Sequence, residues 1–134
     1  ILLLLLVGLL DLGRLSLQKS ALLQGAREGA QYGILAPTDT ANIQATAKNA
    51  TGITGATATA STFCECVSGT QVDCSTTCTG GAAIKQYVVV TTNAAFRSVL
   101  TPATTTFGLN GSHGWIGSWT PPTSLSASIT MIVP

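Results

Sequence analysis

The sequence predicts an α+β chain, in which a long N-terminal helix packs by its C-terminal half against a small antiparallel β-sheet head of about four strands. Three observations predict it. The first 35 residues contain no proline and begin with an unbroken apolar run. After Ile53 the apolar residues recur with a period of two, the spacing of a strand with one buried face. Four cysteines, Cys64, Cys66, Cys74 and Cys78, fall within 15 residues of the second part, as in small domains whose core is supplemented by cross-links.

The helix is predicted over residues 1–36. Ile1 to Leu10 carries no polar side chain, and ten helical residues rise roughly 15 Å, half of the roughly 30 Å apolar core of a bilayer. The run is therefore too short to span a membrane alone and is expected to continue upstream of Ile1. It is not flanked by the basic region and small-residue cleavage site of a secretory signal. A helix apolar on all sides must be buried on all sides, so Leu4, Leu5 and Leu9 are candidate assembly residues for lipid or identical helices to cover. Asp11 and Arg14, three apart, share a helix face and can pair there, which lowers the penalty of charge in an apolar bundle. Gly25, Gly29 and Gly33 recur every fourth residue beside Ala26 and Ala30. They form a small-residue stripe where a second backbone can come close. Its partner is either the chain's own head or a neighbouring helix.

The head is predicted over 37–134. Thr38 or Asp39 caps a short helix over 39–51 that Gly52 stops. Strands are expected near 54–66, 71–75, 85–96 and 125–133. In the first, Ala56, Ala58, Ala60, Thr62, Cys64 and Cys66 share one side. In the third, Val88, Val90, Ala94 and Phe96 do so, and in the last Leu125, Ala127, Ile129, Met131 and Val133, whose apolar face should cover the long helix. A Gly-, Pro- and Thr-rich loop over 97–124 holds Trp115 and Trp119, candidates for a subunit contact or a recognition surface.

The even cysteine count favours disulfides over zinc, because Cys64 and Cys66 are closer together than the usual ligand pair. Three connectivities are open. If Ser68–Thr70 forms a three-residue turn, Val67 faces Gln71 and Cys64 faces Cys74, which leaves Cys66 for Cys78. Such bonds need an oxidising compartment, so the head is expected outside the cytoplasm.

Charged residues are only 8% of the chain and the formal net charge is +1, while 21 Thr and 11 Ser keep the surface polar. Six scattered basic residues make no footprint for nucleic acid. His113, the only histidine, sits in a Gly-rich stretch with no nucleophile motif beside it. No enzyme activity, metal, cofactor or small-molecule substrate is expected. Asn49 in NAT and Asn110 in NGS match the N-glycosylation pattern.

The segment LLLLLVGLLDLGRLSLQKSALLQGAREGAQYGIL resembles the N-terminal segment of TadE-like proteins, pilin-related subunits of tight-adherence (Flp/Tad) pilus systems, with DLGR and AREGA in the expected order. The resemblance continues through CECVSGTQVDCSTTC and YVVVT to the terminal SLSASITMIV strand. It implies a pilin-like fold and a membrane-inserted precursor, cleaved at its N-terminus and extracted by pilus assembly machinery into a helical homo-oligomer at the cell surface that serves attachment. A minor pseudopilin or membrane-anchored assembly and initiation factor of the same system shares these features. The chain departs from the pilin pattern in having Leu5 where a glutamate stands near the mature N-terminus, and no Glu occurs before Glu28.

Overall fold

The computed structural model describes residues 2–67, 69–99 and 122–134. Helix α1 runs Leu2–Leu35 and α2 Thr40–Thr51; strands are β1 Thr57–Cys66, β2 Gln71–Val72, β3 Ile84–Ala95 and β4 Ser124–Val133. The strands form one antiparallel sheet in the order β2-β1-β3-β4. Both helices lie on one face of it, giving the α+β, pilin-like arrangement that the sequence predicts.

Each boundary has a local cause. Pro37 disfavours helical geometry at Ala36, and α1 stops at Leu35. The cap of α2 is Asp39, not Thr38: its carboxylate accepts from the Asn42 N–H at 3.2 Å and the Asn42 amide at 2.6 Å. Gly52, at φ 61°, ends the helix in the left-handed conformation that suits glycine. Strand β1 begins three residues later than expected because Thr54 and Gly55 form a turn. The expected strand over 71–75 shrinks to two residues, because the Asp73 carbonyl and side chain accept from Thr76 and Ser75 in a tight turn.

The alternation read from sequence is reproduced in the sheet. Ala60, Val90 and Ile129 stand in one row across three strands, as do Ala58, Thr92 and Ala127. These rows face the helices. The opposite face is mostly hydroxylic, with Thr91 donating to Ser128 at 3.0 Å.

The core has two joined parts. Ala30, Ile43, Ala47, Val88 and Val90 close the space between α1, α2 and β3. Leu22, Ala56, Ala94, Phe96, Leu125 and Ala127 close it nearer the middle of α1. Thr92 lies between them, fully buried, and its hydroxyl donates to the Leu22 carbonyl of α1 at 2.8 Å. It breaks the row of apolar side chains on β3, and reading that face as Val88, Val90, Ala94 and Phe96 alone missed it.

The glycine stripe turns inward. A Cβ at Gly25 would stand 2.6 Å from the Ala47 carbonyl oxygen, one at Gly29 2.6 Å from the Ala47 Cβ, and one at Gly33 2.7 Å from a Val88 methyl. The partners are α2 and β3 of the same chain, so the stripe is an internal packing surface and is not offered to a neighbouring helix. Gly13, by contrast, has nothing within 4 Å of its missing Cβ.

The two kinds of glycine should therefore respond with opposite sign. Gly29→Ala is expected to destabilise the chain by about 1–3 kcal/mol through overpacking, while Gly13→Ala stabilises it by up to about 1 kcal/mol through helix propensity. Denaturant unfolding of the two variants checks this.

The Asn42 side chain first, and then its backbone N–H, hold the Asp39 carboxyl below its ordinary value. A depressed carboxyl contributes stability that is complete above its unfolded value near about 4 and is lost as pH falls through the folded value. Thermal unfolding followed from pH 7 downward should show this loss in the unmodified chain. Asp39→Asn, which still caps, should flatten that part of the profile.

Candidate assembly interface

Over the first half of α1 the outward face is uncovered. Leu2, Leu3, Leu5, Leu6, Leu9, Leu10, Leu12 and Leu17 are each between 58% and 84% exposed. Leu5 and Leu9 thus lie where a partner can reach them. The side chain of Leu4 lies outside what is described. An apolar surface of this extent marks an interaction site in a folded protein. Covering the six exposed leucines described between Leu2 and Leu10 would stabilise by on the order of 10 kcal/mol.

Asp11 and Arg14 come together as their spacing predicts, at 3.8 Å, but in unlike surroundings: the Asp11 side chain is 6% exposed and that of Arg14 54%. What buries Asp11 is the head. Its carboxylate accepts from the Ser98 hydroxyl and, at 2.9 Å, from the Val99 N–H. Sequence reading takes Asp11 and Arg14 as structural or assembly residues that pair with each other, and it misses Ser98 and Val99. These two are separated from Asp11 by 87 and 88 positions, and no local pattern links them.

Away from the helix, the structure joins Cys64 to Cys74 and Cys66 to Cys78, with Cα separations of 5.0 and 5.9 Å. The register between the arms differs from the expected one. Cys64 faces Val72 and Glu65 faces Gln71, and the connection is closed by bonds from the Cys66 N–H to the Thr70 carbonyl and from the Gly69 N–H to the Cys66 carbonyl. Gly69 explains the shift. It has φ 82°, and a three-residue hairpin loop places its left-handed residue last. Cys74 thus reaches Cys64 from the turn beyond β2, not from the facing position. Among the described residues, no group of three or more His, Cys, Asp or Glu could hold a metal ion.

On the open face of the sheet, Phe63 and Tyr87 stack with ring centroids 5.0 Å apart, in a row that Ile132 completes. Desolvation, with the charge of Glu65 adding to it, pushes the Tyr87 phenol above its ordinary value. Asn49 is exposed in the last turn of α2. Asn110, His113, Trp115 and Trp119 lie outside the described residues.

A family model described as TadE-like protein matches residues 1–31. The N-terminal helix is TadE-like. The matched segment ends within α1, before α2 and the sheet begin. No curated protein and no solved structure gives a significant match. Among the described residues, no helix is long and apolar enough to cross a membrane.

Beyond the TadE-like helix, β2 and the exposed stretch around Ser75 to Thr77 have little apolar burial to hold them. The disulfides supply the constraint. Replacing Cys64 and Cys74 together by Ala should lower stability by about 2–4 kcal/mol, and hydrogen exchange should show the loosening concentrated over residues 64–78 while β3 and β4 keep their protection.

Proposed function

We propose that this chain is a structural subunit of an extracellular filament of the Tad or type IV pilus kind, polymerising through its N-terminal helix and serving surface attachment. The observation that carries this reading is the exposure of eight leucines over Leu2 to Leu17 on a helix whose other end is locked into a folded head. That apolar surface has no partner among the described residues and is too extensive to leave in water.

Before assembly the helix lies in the membrane, and the pilus machinery withdraws it into a bundle of copies. The transfer exchanges one apolar surrounding for another, so hydrophobic burial changes little, and packing and polar contacts select the register. The head, with its disulfides and its hydroxylic, weakly charged surface, faces the outside. The TadE-like match over the helix supports this reading.

Electron microscopy and peptide identification of sheared surface fibres test it. The chain should be the dominant polypeptide, with residues 2–10 protected from labelling in the fibre. Trace amounts confined to fibre ends would assign it to a minor, initiating subunit instead. A chain found only as monomer in membrane extracts would rule out the filament reading.

A further inference from the structure

One stripe of α1 faces the head along most of its length. From the glycines it continues through Leu22, Gln18 and Leu15 to Asp11, at spacings of three and four residues. Leu22 is fully buried, and Leu15 packs against the same cluster. Over residues 2–20, Asp11 is the one described residue that is buried, at 4% exposure. A carboxylate taken out of water is costly unless donors meet it. Here the Ser98 hydroxyl and the Val99 N–H both point at Oδ2, and such bonds to a charged acceptor are the stronger kind. A leucine at this position, in keeping with its neighbours, would leave both donors without this acceptor.

We infer that Asp11 is a clamp that fastens the chain leaving β3 onto the helix and sets how much of the helix stays free. Strand β3 ends at Ala95. The Phe96 N–H donates to the Thr123 carbonyl, and two residues later the chain is held by Asp11. The clamp carries the head's grip from Leu15, which packs against the core, to Asp11, roughly 6 Å further along the helix axis. Beyond it Leu2, Leu3, Leu5, Leu6, Leu9 and Leu10 are exposed, while Val7 and Gly8 are half-buried. Asp11 is thus a positioning residue, and its acidity answers donors of its own chain. The consequence for assembly rests on the filament reading: neighbours reach the exposed leucines from Leu2 to Leu10, and from Asp11 onward they meet only the outward face that carries Leu12 and Leu17.

Amide hydrogen exchange of the whole chain in detergent micelles tests the clamp. Val99 lies outside every strand, so its amide should be protected by Asp11 and not by a sheet ladder. Asp11→Ala should speed its exchange by about tenfold or more, with Val88 and Val90 in the central strand unchanged. Asp11→Asn, which keeps one acceptor oxygen, should have a smaller effect. Val99 exchange at the unprotected rate in the unmodified chain, or unchanged in Asp11→Ala, overturns the inference. If Asp11→Ala also exposes Val88 and Val90, the unmodified chain and Asp11→Asn decide. Fibres are not needed for this readout, so a chain that never enters fibres refutes the filament reading and leaves the clamp standing.

Discussion

The three glycines of α1 let its backbone settle against α2 and β3, and the other packing follows from that approach. Each glycine in a helix interior loses up to about 1 kcal/mol relative to alanine, so a stripe of three persists only where close packing offsets it. The offset is visible: Ala47, Ile43 and Val88 occupy the space that side chains on the stripe would fill. With α1 held so low, Ala30 reaches the cluster formed by α2 and β3, and Leu22 reaches Leu125 and Ala127 on β4. Thr92 then fixes the helix lengthwise. Its hydroxyl is buried, and sliding α1 along the sheet would part it from the Leu22 carbonyl at 2.8 Å, leaving only the longer contact to the Ala127 carbonyl at 3.5 Å.

The same grip divides the helix. Its C-terminal half is a component of the head, covered on one side and polar on the other with Gln24, Arg27, Glu28 and Gln31 exposed or nearly so. The first ten residues carry nothing polar. Burial thins again at the far end of the sheet, where β2 is only two residues long, and there covalent links take over from packing. The head is therefore held by side-chain burial at its centre and by sulfur at its rim. This is the expected compromise for a domain with too few residues for a large core.

How much of this the sequence discloses depends on the range of the interaction. The helix, the strands and their inward faces follow from local periodicity, and Gly52 and Asp39 declare the ends of α2 through their own chemistry. The leucines of the first turns were legible because no arrangement of a small head could cover them. The glycine stripe was legible as a close-packing surface but not as an internal one, since a small-residue face reads alike whether a sheet or another helix lies on it. The turn before β2 was misplaced by one residue because the motif was read as Ser-Gly-Thr, when the left-handed position that Gly69 fills must come last. Thr92 and the pair Ser98 and Val99 were not legible at all, because each finds its partner across the fold.

If Asp11 belonged to an interface between helices, its charge would need a partner supplied by each neighbour, and the register of a bundle would hinge on it. With Ser98 and Val99 already bonded to the carboxylate and Arg14 beside it, the chain meets most of that demand itself. On the filament reading, the surface offered for assembly is then close to purely apolar, and apolar contacts are tolerant of rotation and sliding. Direction must come from elsewhere, from shape at the junction of helix and head, where Asp11 is buried and a neighbour is restricted to the face that carries Leu12 and Leu17. The acid would thus govern how copies meet without touching them, by fixing where the head ends.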